Sequence, residues 1–290
     1  MSVVGFVGLG VMGGPMAGHL VAAGKGPVWV WNRTPAKGEP LRAQGAQVAE
    51  SLADLAQRCE TIILCLGATE DVQEVCRALA PLARPGTLFI DHSTISPQGA
   101  EQLHAELAAQ QLRFVDAPIT GGSMGAQKGT LTIFLGGDPE DCGEAASSVS
   151  PYAKRAERVG GPGAGQRMKM ANQIAVGGAL LALCESLSFA QKAGLDLAQT
   201  RELLAGGAAG SWAFDNYGPK ILASDWSPGF SIKNQNKDFR YCEETASQIG
   251  ADVPGVRLVH RLLAEIEARG DGELTTCVLF EELLRRGFDS

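Results

Sequence analysis

The chain opens with short, β-branched apolar runs separated by stretches whose apolar residues recur at helical spacing. Val3-Val4-Gly5-Phe6-Val7 precedes a helical segment from Gly13 to Ala23. Val28-Trp29-Val30-Trp31 leads to a helix opened by Thr34-Pro35, and Thr61-Ile62-Ile63-Leu64-Cys65-Leu66 to one beginning near Glu70. Gly86-Thr87-Leu88-Phe89-Ile90-Asp91 precedes a helix started by Ser96-Pro97, a capping residue followed by proline at the first helical position. This alternation of strand and helix predicts a parallel sheet covered by helices on both faces.

The pattern changes after Val159. Gly160-Gly161-Pro162-Gly163-Ala164-Gly165 is the densest cluster of helix and strand breakers in the chain. From Gln166 to Ala193 follows a long segment without proline, apolar on more than one helical face (Ile174, Ala175, Val176, Ala179, Leu180, Leu181, Leu183, Leu187). A helix apolar nearly all round is a buried one, here against a second domain or another subunit. Only helices and loops are expected beyond it, ending in a charged amphipathic helix from Thr275 to Arg286. The reading is thus an α/β domain over residues 1–162 and an all-α domain over 163–290, without internal repeats.

Composition adds exclusions. With 45% hydrophobic and 20% charged residues the chain has the make-up of a soluble globular protein. Its net charge of -7 comes from interleaved acids and bases, and no basic block is present to track a phosphate backbone, which argues against nucleic acid. The longest apolar stretch, Ile174 to Leu183, is too short for a membrane span. An apolar strand starting at Val3 leaves no room for the charged region of a signal sequence, so a cytoplasmic location is expected. The cysteines (59, 65, 76, 142, 184, 242 and 277) are odd in number and never spaced Cys-x-x-Cys. They read as buried thiols in a reducing compartment, with neither a disulfide framework nor a metal site.

Candidate chemistry begins at Gly8-Leu9-Gly10-Val11-Met12-Gly13, a Gly-x-Gly-x-x-Gly run placed directly between an apolar strand and an amphipathic helix. Such glycines allow a tight turn, close backbone approach to a diphosphate and close packing of helix on strand. The helix amino terminus offers unpaired N–H groups and a positive dipole end. The site is therefore read as the dinucleotide end of a Rossmann domain. A carboxylate commonly binds the ribose hydroxyls after the second strand, but this chain has Asn32-Arg33-Thr34 there. A guanidinium in that place can accept a 2′-phosphate by fork-like hydrogen bonds, which favours NADP and leaves NAD open.

Three further segments fall where an open α/β sheet binds ligands, outside the carboxyl ends of its strands. Asp91-His92-Ser93-Thr94 ends one strand, and Asp116-Ala117-Pro118-Ile119-Thr120-Gly121-Gly122 follows another. Thr120, Gly121 and Gly122 offer a hydroxyl and unobstructed backbone N–H groups suited to a carboxylate. In Gly163-Ala164-Gly165-Gln166-Arg167-Met168-Lys169-Met170-Ala171-Asn172-Gln173, Lys169 and Asn172 are three apart and share a helix face. An ammonium there can protonate a developing alkoxide, and its neutral form can take the proton back. The four histidines, His19, His92, His104 and His260, read as structural.

Together these segments resemble the β-hydroxyacid dehydrogenases, whose members include 3-hydroxyisobutyrate dehydrogenase, tartronate semialdehyde reductase and the glyoxylate/succinic semialdehyde reductases. The resemblance covers essentially the whole chain and rests on the glycine run with Pro15-Met16-Ala17, on the segments at 91–94 and 116–122, on the Lys169 helix and on Lys237-Asp238. It implies an NAD(P)-dependent oxidoreductase interconverting a small β-hydroxy acid and its semialdehyde. Lys169 is then the general acid/base and Asn172 holds the substrate beside it. Thr120, Gly121 and Gly122 take the substrate carboxylate, while Gln173, Phe230 and Asp238 line its pocket. The cofactor set is Gly8, Leu9, Gly10, Val11, Met12, Gly13, Asn32, Arg33, Thr34, Leu66, Thr94 and Lys237. The helical domain is expected to close over the substrate, and its mostly apolar long helix points to subunit packing through it in a homodimer or homotetramer.

Two departures stand out. Thr120 replaces the family's frequent serine, and the pair Asn172-Gln173 replaces two asparagines. The alternatives are an NADPH-dependent glyoxylate/succinic semialdehyde reductase, an imine reductase or an NADP-binding sensor or scaffold. Lys169 speaks against an imine reductase, and a 6-phosphogluconate dehydrogenase would need a longer second domain.

Overall fold

The computed structural model describes residues 2–227 and 229–286 and divides the chain into two compact units, Met1–Lys169 and Met170–Ser290. The division falls a little downstream of the breaker cluster, inside the helix Ala164–Lys192.

The first unit holds one sheet, built from β1 (Val4–Val7), β2 (Val28–Trp31), β3 (Gln47–Val48), β4 (Thr61–Leu64), β5 (Leu88–Asp91), β6 (Arg113–Asp116), β7 (Ile119–Thr120), β8 (Leu131–Gly136) and β9 (Ala153–Gly160). Their order is β3-β2-β1-β4-β5-β6-β8-β7, with β9 beside β8. From β3 to β6 all neighbours are parallel, as the alternating pattern predicts. The wholly parallel expectation fails at the far edge, where β8 runs antiparallel to β6 and β7. The connection from Thr120 to Leu131 carries only the short helix Gly122–Lys128. A parallel return needs a crossover of a dozen residues or more, so this chain turns straight back.

Successive residues of a strand point to opposite faces, and the central strands feed two separate cores in this way. Phe6, Ile63, Ile90 and Val115 enter one core with Met16 and Leu20. Val7, Ile62, Leu64, Phe89 and Phe114 enter the other with Leu55, Val72 and Leu103. Burial on both faces is why these strands read as unbroken apolar runs. Ser96 caps the helix Pro97–Ala108 as expected, its Oγ accepting from the Gly99 N–H at 3.1 Å.

The second unit is helical among its described residues apart from one bridge between Ser231 and Thr275. Its core gathers Leu180, Leu183 and Leu187 of the long helix with Phe239 and Cys242 of the helix Ile232–Ile249 and Leu263 of the helix Pro254–Ile266. Gly177 lets the first two helices approach closely, since a Cβ there would stand 2.7 Å from Phe239 Cζ. The predicted terminal helix is a 3-10 turn, Thr276–Val278, continued by Leu279–Arg286. At 29 residues and with a mean hydropathy of 1.5 over its best window, Ala164–Lys192 is long and apolar enough by composition to cross a membrane. Taken alone, the run from Ile174 to Leu183 is too short for a span, but the flanking Met170, Ala171, Cys184 and Leu187 extend the apolar character of the helix. In the fold that helix supplies the second unit's core. Six of the seven cysteines are buried, and none forms a disulfide.

Candidate cofactor and catalytic site

The three glycines of the first loop do different work. Gly8 has φ of +98°, and a Cβ there would lie 2.2 Å from the Cys65 carbonyl oxygen. A Cβ on Gly13 would lie 1.9 Å from the Gly8 carbonyl oxygen. Both positions are closed to any side chain by the protein's own backbone. Around Gly10, by contrast, nothing lies within 4 Å of where a Cβ would stand. Its helix, Gly13–Ala23, starts at Met12 without a side-chain cap. An exposed backbone segment, an open space and uncapped helix N–H groups fit a diphosphate. Leu9 is buried beneath the loop, Val11 is exposed and Met12 is half-buried.

Asn32 closes the loop against β2. Its Oδ1 accepts from the Leu9 N–H at 2.9 Å, and its Nδ2 donates to the Thr34 carbonyl at 3.0 Å. The asparagine side chain therefore ties the glycine loop to the turn carrying Arg33 and Thr34, both of which are exposed. In place of the expected helix after Thr34 the chain makes a 3-10 turn, Pro35–Gly38, running into the short helix Glu39–Arg42. Just beyond the end of β4, half-buried Leu66 is held by its N–H donating to Ser93 Oγ at 2.8 Å.

Lys169 is buried, and its Nζ donates to the Ile119 carbonyl at 2.8 Å. That carbonyl immediately precedes Thr120-Gly121-Gly122, so two segments fifty residues apart in sequence meet at one point. Gly121 and Gly122 have φ of +126° and +64°, conformations that L side chains rarely adopt. The loop presenting its N–H groups thus requires glycine. Asp116, at the end of β6, is the cap of the lysine helix: its Oδ1 accepts from the Gly163 N–H and its Oδ2 from the Gln166 N–H, each at 2.8 Å. Burial pushes its carboxyl up to about 6 despite these hydrogen bonds. Gln166 in turn reaches the loop carrying Thr94, donating to the Ser93 carbonyl at 2.8 Å and accepting from the Ile95 N–H at 3.2 Å. Neither Asp116 nor Gln166 drew a role from sequence, although both lie inside the quoted segments. A cap four dozen residues upstream of its helix has no local signature.

His92 is fully inside the first unit, its Nδ1 2.6 Å from the Ala117 carbonyl and its Nε2 2.8 Å from the Tyr152 hydroxyl. Burial lowers its pKa to about 4, so it stays neutral and braces the loop. His19 lies against the Ala126 and Gln127 carbonyls, His104 is 3.5 Å from Asp138, and His260 is 2.7 Å from Glu243. These contacts fit the structural reading of all four.

Within the second unit a chain of side chains links the remaining candidates. Asn172 Nδ2 donates to Gln173 Oε1 at 2.9 Å, and Gln173 Nε2 donates to Asp238 Oδ2 at 2.7 Å. Lys237 Nζ stands 3.3 Å from Asp238 Oδ1. Asp238 and Gln173 are buried, so their polar ends serve each other and hold the half-buried Asn172 and Lys237. Phe230 is half-buried before the helix Ile232–Ile249. Tyr217 is in the core, with the half-exposed Trp212 edge-on to it.

Residues 3–161 match the model of the NAD binding domain of 6-phosphogluconate dehydrogenase, and residues 163–281 that of the NAD-binding domain of NADP-dependent 3-hydroxyisobutyrate dehydrogenase. A probable mitochondrial 3-hydroxyisobutyrate dehydrogenase-like protein of Arabidopsis thaliana is 36% identical over 287 residues, covering 97% of this chain and 85% of its own length. The 2-hydroxy-3-oxopropionate reductase of Escherichia coli is 31% identical over 283 residues, covering 97% and 96%. Among solved structures, Mycobacterium tuberculosis 3-hydroxyisobutyrate dehydrogenase with L-serine superposes with a TM-score of 0.88 at 29% identity, covering 98% of this chain and 99% of that one.

Proposed function

Because the chain belongs to the β-hydroxyacid dehydrogenase family and is an NAD(P)-dependent oxidoreductase acting on hydroxyl groups, we propose that it interconverts a small β-hydroxy acid and its semialdehyde, with Lys169 as the general acid/base and NADP as the preferred cofactor. The observation that carries this reading is the buried Lys169 ammonium held 2.8 Å from the Ile119 carbonyl, at the foot of Thr120-Gly121-Gly122. A proton donor and a set of carboxylate-binding groups then stand side by side.

The nicotinamide cofactor, when bound, supplies the hydride. Gly10 and the uncapped start of the helix Gly13–Ala23 hold its diphosphate, with Leu9, Val11, Met12, Leu66 and Thr94 around it. Arg33 and Thr34, on a turn fixed by Asn32, take the 2′-phosphate. Thr120, Gly121 and Gly122 bind the substrate carboxylate and so set the reacting carbon in register. Lys169 delivers a proton to the carbonyl oxygen during reduction and removes it during oxidation, its positive charge stabilising the alkoxide that develops. Asn172, Gln173, Phe230 and Asp238 keep the substrate role that the resemblance gives them, and Lys237 its cofactor role. The chemistry named in two relatives supports the substrate class, since 2-hydroxy-3-oxopropionate is an aldehyde acid and L-serine a β-hydroxy acid.

The direct test is NADPH oxidation against tartronate semialdehyde, methylmalonate semialdehyde, succinic semialdehyde and glyoxylate. Turnover of one of the first two is expected to lead. A clear preference for glyoxylate or succinic semialdehyde would replace the β-hydroxy acid reading, and no turnover on any of the four would overturn it. Arg33→Ala is expected to erase the preference for NADPH over NADH; an unchanged preference would remove Arg33 from the 2′-phosphate site.

A further inference from the structure

We propose that Gln166 is a positioning residue that locks the Thr94 loop to the helix bearing Lys169. It rests on the reading of Lys169 as acid/base and of Thr94 as a cofactor residue. Gln166 is fully buried in the first turn of the helix Ala164–Lys192, one turn before Lys169. Both ends of its side-chain amide are taken by backbone groups. Nε2 donates to the Ser93 carbonyl at 2.8 Å and Oε1 accepts from the Ile95 N–H at 3.2 Å.

Those two groups belong to the two peptide units that flank Thr94. Held by one planar amide, they pin the backbone of Thr94 on both sides, as a neighbouring strand would pin a residue in a ladder. An amide meets this demand because it gives and accepts a hydrogen bond at one planar end. A hydrocarbon side chain can do neither, and an ionised carboxylate can only accept. The anchor is itself fixed, since the Gln166 N–H donates to Asp116 Oδ2 at 2.8 Å. Asp116 opens the segment whose Ile119 carbonyl receives Lys169 Nζ at 2.8 Å. Residues 94, 116–122 and 169 therefore share one frame, and Gln166 is the member that couples the Thr94 loop to the lysine helix. Residues three apart on a helix are neighbours, roughly 5–6 Å between Cβ atoms, so a tilt at Gln166 is passed on to Lys169.

The experiment compares Gln166→Met, which keeps the volume and loses both hydrogen bonds, with Gln166→Glu, which keeps an acceptor for the Ile95 N–H. In the protein without cofactor, amide hydrogen exchange at Ile95 is expected to accelerate about tenfold or more in Gln166→Met and less in Gln166→Glu, with β5 amides unchanged. In turnover, kcat is expected to fall by about 10- to 100-fold while KM for NADPH stays within roughly threefold, because misplacement by about 1 Å costs rate more than binding. The primary isotope effect with NADPH deuterated at the transferred position is expected to rise as hydride transfer becomes limiting. Unchanged Ile95 exchange, or a wild-type kcat and isotope effect per folded site, would overturn the proposal. If Gln166→Met does not fold, Gln166→Glu decides by the same readouts. Full activity in Lys169→Ala overturns the acid/base reading instead. Inactivity of Lys169→Ala beside a normal Gln166→Met sinks only the positioning role.

Discussion

In the first unit both ends of the buried Gln166 amide meet backbone groups, whereas in the second unit the equally buried Gln235 amide meets no hydrogen-bond partner among the described residues. The same contrast runs through their neighbours. Asp116, His92 and Ser93 of the first unit each bond to segments remote in sequence. In the second unit the polar chain Asn172–Gln173–Asp238–Lys237 is made of side chains alone, and Asn236 Oδ1 also has no hydrogen-bond partner among the described residues. A sheet fixes its strand ends within the same small region, and loops emerging there can exchange side chains for backbone groups. Helices satisfy their own backbones, so a polar side chain between them depends on another side chain to meet it. The strand-end loops of the first unit thus hold hydrogen bonds in place around Gln166, although buried Thr87 Oγ1 of the same unit has no hydrogen-bond partner among the described residues, while the helices of the second chiefly pack.

Five substitutions break or sharpen this contrast. Lys169→Ala is expected to have the largest effect, a fall of about 10²- to 10⁴-fold in kcat with the fold intact, read by steady-state rates and a thermal melt. A smaller loss would remove Lys169 from the proton transfer.

The glycine loop separates fold from function. Gly8→Ala meets the Cys65 carbonyl at a positive φ and is expected to destabilise the first unit by more than about 1–3 kcal/mol, the range for backbone strain alone. Gly10→Ala meets nothing and is expected to keep its Tm while NADPH affinity drops roughly tenfold, about 1.4 kcal/mol by titration. Equal Tm losses in the two would deny Gly10 a cofactor role.

The buried pair Asp116 and His92 acts in opposite senses with pH. His92 titrates near 4 in the fold, below its ordinary 6.5, so its neutral form stabilises the protein above pH 6.5 and that stability is lost as pH falls toward 4. Asp116 titrates near 6, above its ordinary 3.8, so its contribution is present below pH 3.8 and is lost as pH rises through 6. Each shift corresponds to about 3 kcal/mol, and over pH 4 to 6 they offset each other. Removing the acid in Asp116→Asn is expected to unmask His92, with stability falling by about 3 kcal/mol from pH 6.5 to 4 in urea melts. A flat profile in the variant would show that His92 does not titrate in this range.

The smallest effect belongs to the second unit. Gln235→Met removes a buried amide with no hydrogen-bond partner among the described residues and is expected to raise stability by about 1–2 kcal/mol, measured by denaturant unfolding. A loss of stability would mean that the amide has a partner in solution.

By itself the sequence determined the alternation of strands and helices up to β6, the glycine turn between β1 and its helix, the change to helices after the breaker cluster and the shared helix face of Lys169 and Asn172. Each of these is local: a period, a turn requirement or a spacing along one helix carries the information. It also placed six of the seven thiols in the core, because residue type sufficed. Tertiary structure decided the rest. The antiparallel β8 depends on a return too short for a crossover, and the apolar run from Leu131 to Gly136 has no mark of strand direction. Asp116 as the cap of a helix starting at Ala164, Gln166 as the clamp on Ser93 and Ile95, and Gln173 as the partner of Asp238 join positions 47 to 73 residues apart. Such pairings exist only once the sheet and the helices have set where those segments lie, since a hydrogen bond is specified by position in space and not by spacing along the chain.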